Sequence, residues 1–151
     1  MKAVKWIAVI VLVPVVVVVG AFIRNKAIGP VGWAMDDVEK SLRAKMKDPN
    51  SMVIRSSYVV ERKSGARREI SVCGFVDGKN SFGGYADSVR FASRSVSNEN
   101  LGTFDTYTVK IENPSETAQA RDVGMLSGFE DAYWNKLCVD EFHPAITATD
   151  K

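Results

Sequence analysis

Ser71-Val72-Cys73-Gly74-Phe75-Val76-Asp77-Gly78-Lys79-Asn80-Ser81-Phe82-Gly83-Gly84-Tyr85-Ala86-Asp87-Ser88-Val89-Arg90-Phe91 reads as a strand, a polar loop with three glycines, and a second strand. Around it the chain alternates in period two. From Arg67 to Val76, Ile70, Val72 and Val76 share one parity while Cys73 and Phe75 take the other, which predicts a central strand covered on both faces. Its hairpin partner, across the turn at Ser64-Gly65, is Met52 to Glu61, with Met52, Ile54, Tyr58 and Val60 on one parity and Arg55 and Ser57 on the other. After the loop, Tyr85 to Ser93 forms the third strand and Ser95 to Gly102 a polar turn. Thr103 to Glu112 is the fourth strand, with Tyr107, Val109 and Ile111 facing one way and Phe104 the other.

Helical spacing flanks the strands. Between Val31 and Lys47, Val31, Met35, Val38, Leu42 and Met46 recur every three or four positions, with acids early and bases late as the helix dipole prefers. Asp48-Pro49-Asn50-Ser51 stops that helix. Asn113 and Pro114 cap a second one, extended here to Phe142 on the strength of Leu126, Phe129, Tyr133 and Leu137, with Trp134 and Cys138 alongside. The tail beyond His143-Pro144 is expected to fray. The sum is an α+β domain over residues 27–151: a four-stranded antiparallel meander with an amphipathic helix and a long C-terminal helix on one face.

The first 26 residues have a different character. After the short basic start Met1 to Lys5, Trp6 to Ile23 gives 18 residues without a charge, rich in valine. As a helix this spans roughly 27 Å, enough for a hydrocarbon core of about 30 Å. A retained transmembrane signal anchor and a signal peptide cleaved after Ala21 both fit, and the Arg24 and Lys26 flank favours the anchor. The expected location is a single-pass inner-membrane protein with its domain in the periplasm.

Charge excludes one class of partner. Setting Lys2 and Lys5 apart from the 20 basic residues leaves 18 against 18 acidic ones, so the domain is neutral and lacks the basic excess of a nucleic-acid binder. Cys73 and Cys138, 65 positions apart and with His143 the only histidine, are too few for a structural zinc site, and no metal or other cofactor is expected. In an exported domain the two cysteines can pair, pinning the last helix to the central strand. In a cytoplasmic one they are small buried apolar residues.

From Cys73 to Tyr85 the residues follow C-G-x-V-[N or D]-x-K-N-x-x-G-G-Y, with Asp48-Pro49-Asn50-Ser51 upstream as a D-P-[N, D or S]-S segment. In this the chain resembles small exported proteins and lipoproteins of Gram-negative bacteria and their phages. Asp77 stands where asparagine is commoner, and Ala86-Asp87 where another glycine often stands. The resemblance implies an exported bacterial or phage domain and carries over no catalytic residue.

The loop supplies the candidate binding residues Asp77, Lys79, Asn80, Ser81, Phe82 and Tyr85, since polar and aromatic groups on a glycine-bearing loop are well placed to meet a ligand. The competing reading is turn chemistry, with the glycines supplying positive φ and the aromatics packing back. The order G-x-x-x-x-G-K-[S/T] of a phosphate loop is absent. A single histidine near the tail gives nucleophilic catalysis little to use, and Glu130 with Asp131 reads as solvated helix charge. The functional expectation is a non-enzymatic envelope protein that binds an envelope partner, in one version a phage product that alters the host envelope, for example by superinfection exclusion. A periplasmic hydrolase and a structural subunit of an envelope assembly are the alternatives.

Overall fold

The computed structural model describes residues 29–79 and 88–149. Residues 1–28, on which the expected anchor falls, as well as 80–87, 150 and 151 lie outside the described residues. Helix α1 (29–45) is followed by a 3-10 turn, Pro49–Ser51, and four strands: β1 (Val53–Ser64), β2 (Arg67–Asp77), β3 (Val89–Asn98) and β4 (Thr103–Ile111). Helix α2 (Pro114–Asp122) and a second helical stretch, α3 (128–137), close the domain. The strands lie in the order β1-β2-β3-β4, each antiparallel to the next. The expected α+β meander is therefore present, and β2 is buried on both faces as its two-sided apolar pattern requires.

The helices sit on opposite faces of the sheet, not on one. Ile70, Val72, Val76 and Phe91 face α1 and pack with Ala34, Val38 and Leu42. Their odd-even neighbours Cys73 and Ala92 pack with Phe129, Trp134, Leu137 and Cys138 of the C-terminal segment. On α1 it is Ala34 that enters the core, while Met35, one position on, remains 44% exposed.

Two β-bulges correct the parity of the edge strands. Ile54 pairs with Val76 but Ser56 pairs with Phe75, so Arg55 is an extra residue. Ile54 thereby joins the α1 face, whereas Tyr58 lies with Trp134 on the other. Likewise Thr106 pairs with Ser95 and Thr108 with Arg94, leaving Tyr107 extra and 63% exposed while Phe104, Val109 and Ile111 all reach the α1 core. At the first bulge β1 and β2 approach closely. A Cβ on Gly74 would collide with the backbone carbonyl oxygen of Ser56.

The single long C-terminal helix does not form. Gly124 takes φ +70°, and Met125 N–H bonds Ala120 O while Gly124 N–H bonds Arg121 O, a Schellman ending that terminates α2. Ser127 then starts α3 with a capping box: Glu130 N–H donates to Ser127 Oγ, and Ser127 N–H donates to Glu130 Oε2. Within α3, Glu130–Trp134 is wound as a π-helix. Nor does the chain fray directly after His143. Asn135 donates to Ile146 O and accepts from Ile146 N–H, and Ile146 packs against the C-terminal core. The third strand also extends past Ser93 to Asn98, so the polar turn is confined to 99–102.

Candidate functional site

The entrance to the glycine-bearing loop is a built structure. Asp48 caps the 3-10 turn by accepting from Asn50 N–H, and Arg43 donates to Pro49 O. Ser51, buried at the end of that turn, donates its hydroxyl to Asp48 O and accepts from Lys79 N–H at 2.9 Å. Gly78 lies against Met46, whose Sδ would be 3.2 Å from an added Cβ. The D-P-N-S turn and the loop entrance, 28 residues apart in sequence, are thus one unit in space.

Asp77 and Lys79 divide the entrance between them. Asp77 is only 5% exposed, and its Oδ2 accepts from Arg55 at 2.7 Å while Oδ1 is buried without a hydrogen-bond partner. Lys79 is exposed. Asn80, Ser81, Phe82 and Tyr85 lie outside the described residues. Arg55 reaches Asp77 from the first bulge, so the irregularity that re-phases β1 also aims a guanidinium at the loop base.

A second polar centre lies where β3, β4, α2 and α3 meet. Arg90 donates through Nε and Nη2 to both carboxylate oxygens of Glu112 and through Nη2 to Glu130 Oε1, while Arg121 donates to the same Glu130 oxygen at 2.6 Å. Thr117 donates to Glu112. The Arg90 guanidinium lies 5.3 Å from the ring centre of Trp134 and 5.8 Å from that of Phe129. Burial alone would raise the Glu130 pKa, but the hydrogen bonds from Arg121 and Arg90 outweigh it and bring the group down to about 2. Burial likewise opposes ionisation of Glu112, and its bonds from Arg90 and Thr117 overcome that and lower its pKa. Glu130, expected to be solvated, is fully buried. Beside this centre runs an open groove of about 1050 Å³, lined by Phe75, Arg90, Thr117, Arg121, Asp122 and Ile146 among others.

Compared with protein-family models, curated proteins and solved structures, the chain matches none.

The two cysteines, the histidine and Tyr58 are engaged in contacts around the end of α3. Cys73 and Cys138 form a disulfide with Cα atoms 5.8 Å apart. His143 stacks on Tyr58, ring centres 3.6 Å apart and planes within 7°, and its Nδ1 lies 2.7 Å from Asp140 Oδ1. Tyr58 donates to Cys138 O, and burial, followed by the charge of Asp140, pushes its pKa up to about 12. Arg62 donates to Leu137 O and Val139 O. Edge strand β1 therefore clasps the end of α3 around the disulfide. Trp134 is buried in the C-terminal core, and half-buried Trp33 packs edge-on against Phe104. Of these features, the buried role of Glu130 had a signal in the sequence, since Ser127-Gly128-Phe129-Glu130 spells the S-x-x-E capping box.

Among the described residues no helix is long and apolar enough to cross a membrane, and no cluster of three metal-ligating side chains occurs.

Proposed function

We propose that this is an inner-membrane protein, anchored by Trp6 to Ile23, whose α+β domain lies in the periplasm and works by binding an envelope partner. The observation that carries the reading is the Cys73–Cys138 bridge, because structural disulfides persist in oxidising compartments and are rare in the cytoplasm. The resemblance of Cys73 to Tyr85 to small exported proteins of Gram-negative bacteria and their phages supports the same compartment. Binding is favoured over catalysis because the cysteines, the histidine and the buried carboxylates Glu112 and Glu130 are all committed to contacts that hold the helices to the sheet. For a phage-borne gene the concrete version is a protein that alters the host envelope against later phages.

The partner surface is the loop that leaves the Ser51–Lys79 clamp, where exposed Lys79 stands at the rim. A rigid base with a polar, glycine-bearing loop is the arrangement in which recognition loops are commonly mounted. The test places a photo-crosslinking residue at position 79 of the full chain in cells whose outer membrane has been permeabilised, followed by protease. A discrete adduct of higher mass on a protease-accessible domain is expected. A protease-resistant domain in intact spheroplasts, or no adduct from position 79, would contradict the reading.

A further inference from the structure

We infer that one end of the sheet, carrying Arg62, Lys63, Arg67, Arg68 and Leu101, rests on the headgroups of the bilayer in which the chain's own apolar segment sits; this rests on the anchor proposed above. The direction of α1 decides which end that is. Trp33, near its start, packs on Phe104, and Asp37 accepts from Thr106, so α1 runs alongside β4 and begins where β4 begins. Its other end reaches Met46, which lies against Gly78 at the far end of β2. Thr103 pairs with Asn98, and Asn98 with Arg67, so the start of α1, the β1–β2 turn and the β3–β4 turn share one end of the sheet.

Chain length then fixes the distance to the membrane. Five residues separate Ile23 from residue 29, which allows at most about 20 Å even when fully extended. Strands of 9 to 12 residues are roughly 30 to 40 Å long, so the turn end stays within headgroup reach while the Gly78 end is held a sheet's length further out.

The near end carries the chemistry that a lipid surface recognises. Arg67 is exposed with no acidic partner among the described residues, and Lys63 is exposed, 3.5 Å from Glu99. Arg68 meets Glu99 and Glu61, Arg94 takes Glu69, and Arg62 binds two backbone carbonyls, which leaves Lys63 and Arg67 as the outermost charges at the turn, with the exposed acid Asp105 two positions further along β4. Leu101, 72% exposed at the tip of the β3–β4 turn, adds an apolar side chain beside them. Arg24 and Lys26 in the connecting residues carry the same sign. Each basic group close to an anionic leaflet strengthens attachment about fivefold.

The test uses the full chain reconstituted in nanodiscs of phosphatidylcholine, with or without phosphatidylglycerol, doped with a lipid bearing a nitroxide on its headgroup. Amides of 64–67 and 99–102 should be broadened far more than those of 78, 79, 112, 113 and 115, and more so in the anionic discs. The double variant Lys63→Glu, Arg67→Glu, at two exposed positions, should keep its spectrum elsewhere and lose the anionic enhancement. Disc-bound protein with equal broadening at both ends, or with none, would overturn the headgroup contact while leaving the anchor standing. A chain that does not enter the discs would overturn the anchor and, with it, this inference.

Discussion

Glu130 is fully buried and still ionised, because Arg90 and Arg121 both donate to its Oε1 while the Ser127 N–H and hydroxyl sit on Oε2. Its folded pKa of about 2 lies below the ordinary 4.5, so the stability it contributes is present above pH 4.5 and is lost as pH falls toward 2. Glu112 is lowered as well and adds to the loss in the same direction. Thermal melts between pH 6 and pH 2 should therefore fall steeply in the native chain. Glu130→Gln leaves Arg121 without a carboxylate partner and Arg90 with Glu112 alone, and should cost about 3 kcal/mol at neutral pH, with a flatter acid limb. An unchanged melting temperature at pH 7 would remove the network from the account. Gly74 poses a different problem, since its place is fixed by the Ser56 carbonyl and not by a turn. Gly74→Ala should push β1 off the sheet at its bulge and cost on the order of 1–3 kcal/mol by denaturant titration.

At the scale of elements, all four strands were readable, but neither the phase of the two edge strands nor the far end of β3 was. β2 is buried on both faces, so Ile70, Val72 and Val76 on one side and Cys73 on the other left no doubt about its phase. The edge strands each carry one extra residue, Arg55 or Tyr107, and a single inserted residue exchanges the faces of everything after it. No local signal in residues 53–56 or 104–108 marks such an insertion, because the bulge is set by pairing with the neighbouring strand. The division between α2 and α3 was legible: Gly124 supplies the left-handed ending and Ser127 with Glu130 the next start, but the run of apolar residues from Leu126 to Leu137 outweighed them. Ser127→Ala removes the cap and should cost about 1–2 kcal/mol, read as loss of helical signal near 128–137 in amide exchange. Full retention of protection there would show that α3 is held by its buried face alone. The disulfide ties α3 to β2 across a separation of 65 residues. Cys73→Ala with Cys138→Ala should lower stability by about 4 kcal/mol in oxidising buffer and leave it nearly unchanged relative to the reduced native chain.

For the molecule as a whole, α1, the sheet and the C-terminal segment form three layers, and the two cores are separated by the sheet itself. The D-P-N-S turn and the loop entrance were recognisable as motifs, yet the Ser51 to Lys79 bond that joins them follows from where α1 ends over the sheet, which period and composition do not encode. The buried Arg90, Glu112 and Glu130 centre was hidden for the same reason, its members coming from three separate elements. The central claim is that a bridged domain stands in an oxidising compartment at the end of a membrane anchor. Its most direct test treats intact cells expressing the full chain with a membrane-impermeant maleimide, with and without prior reductant. Cysteines that refuse the label until reductant is added, and then take it, are the predicted result. Thiols that react without reductant only after the cells are lysed would place the domain in the cytoplasm without its bridge and contradict the account.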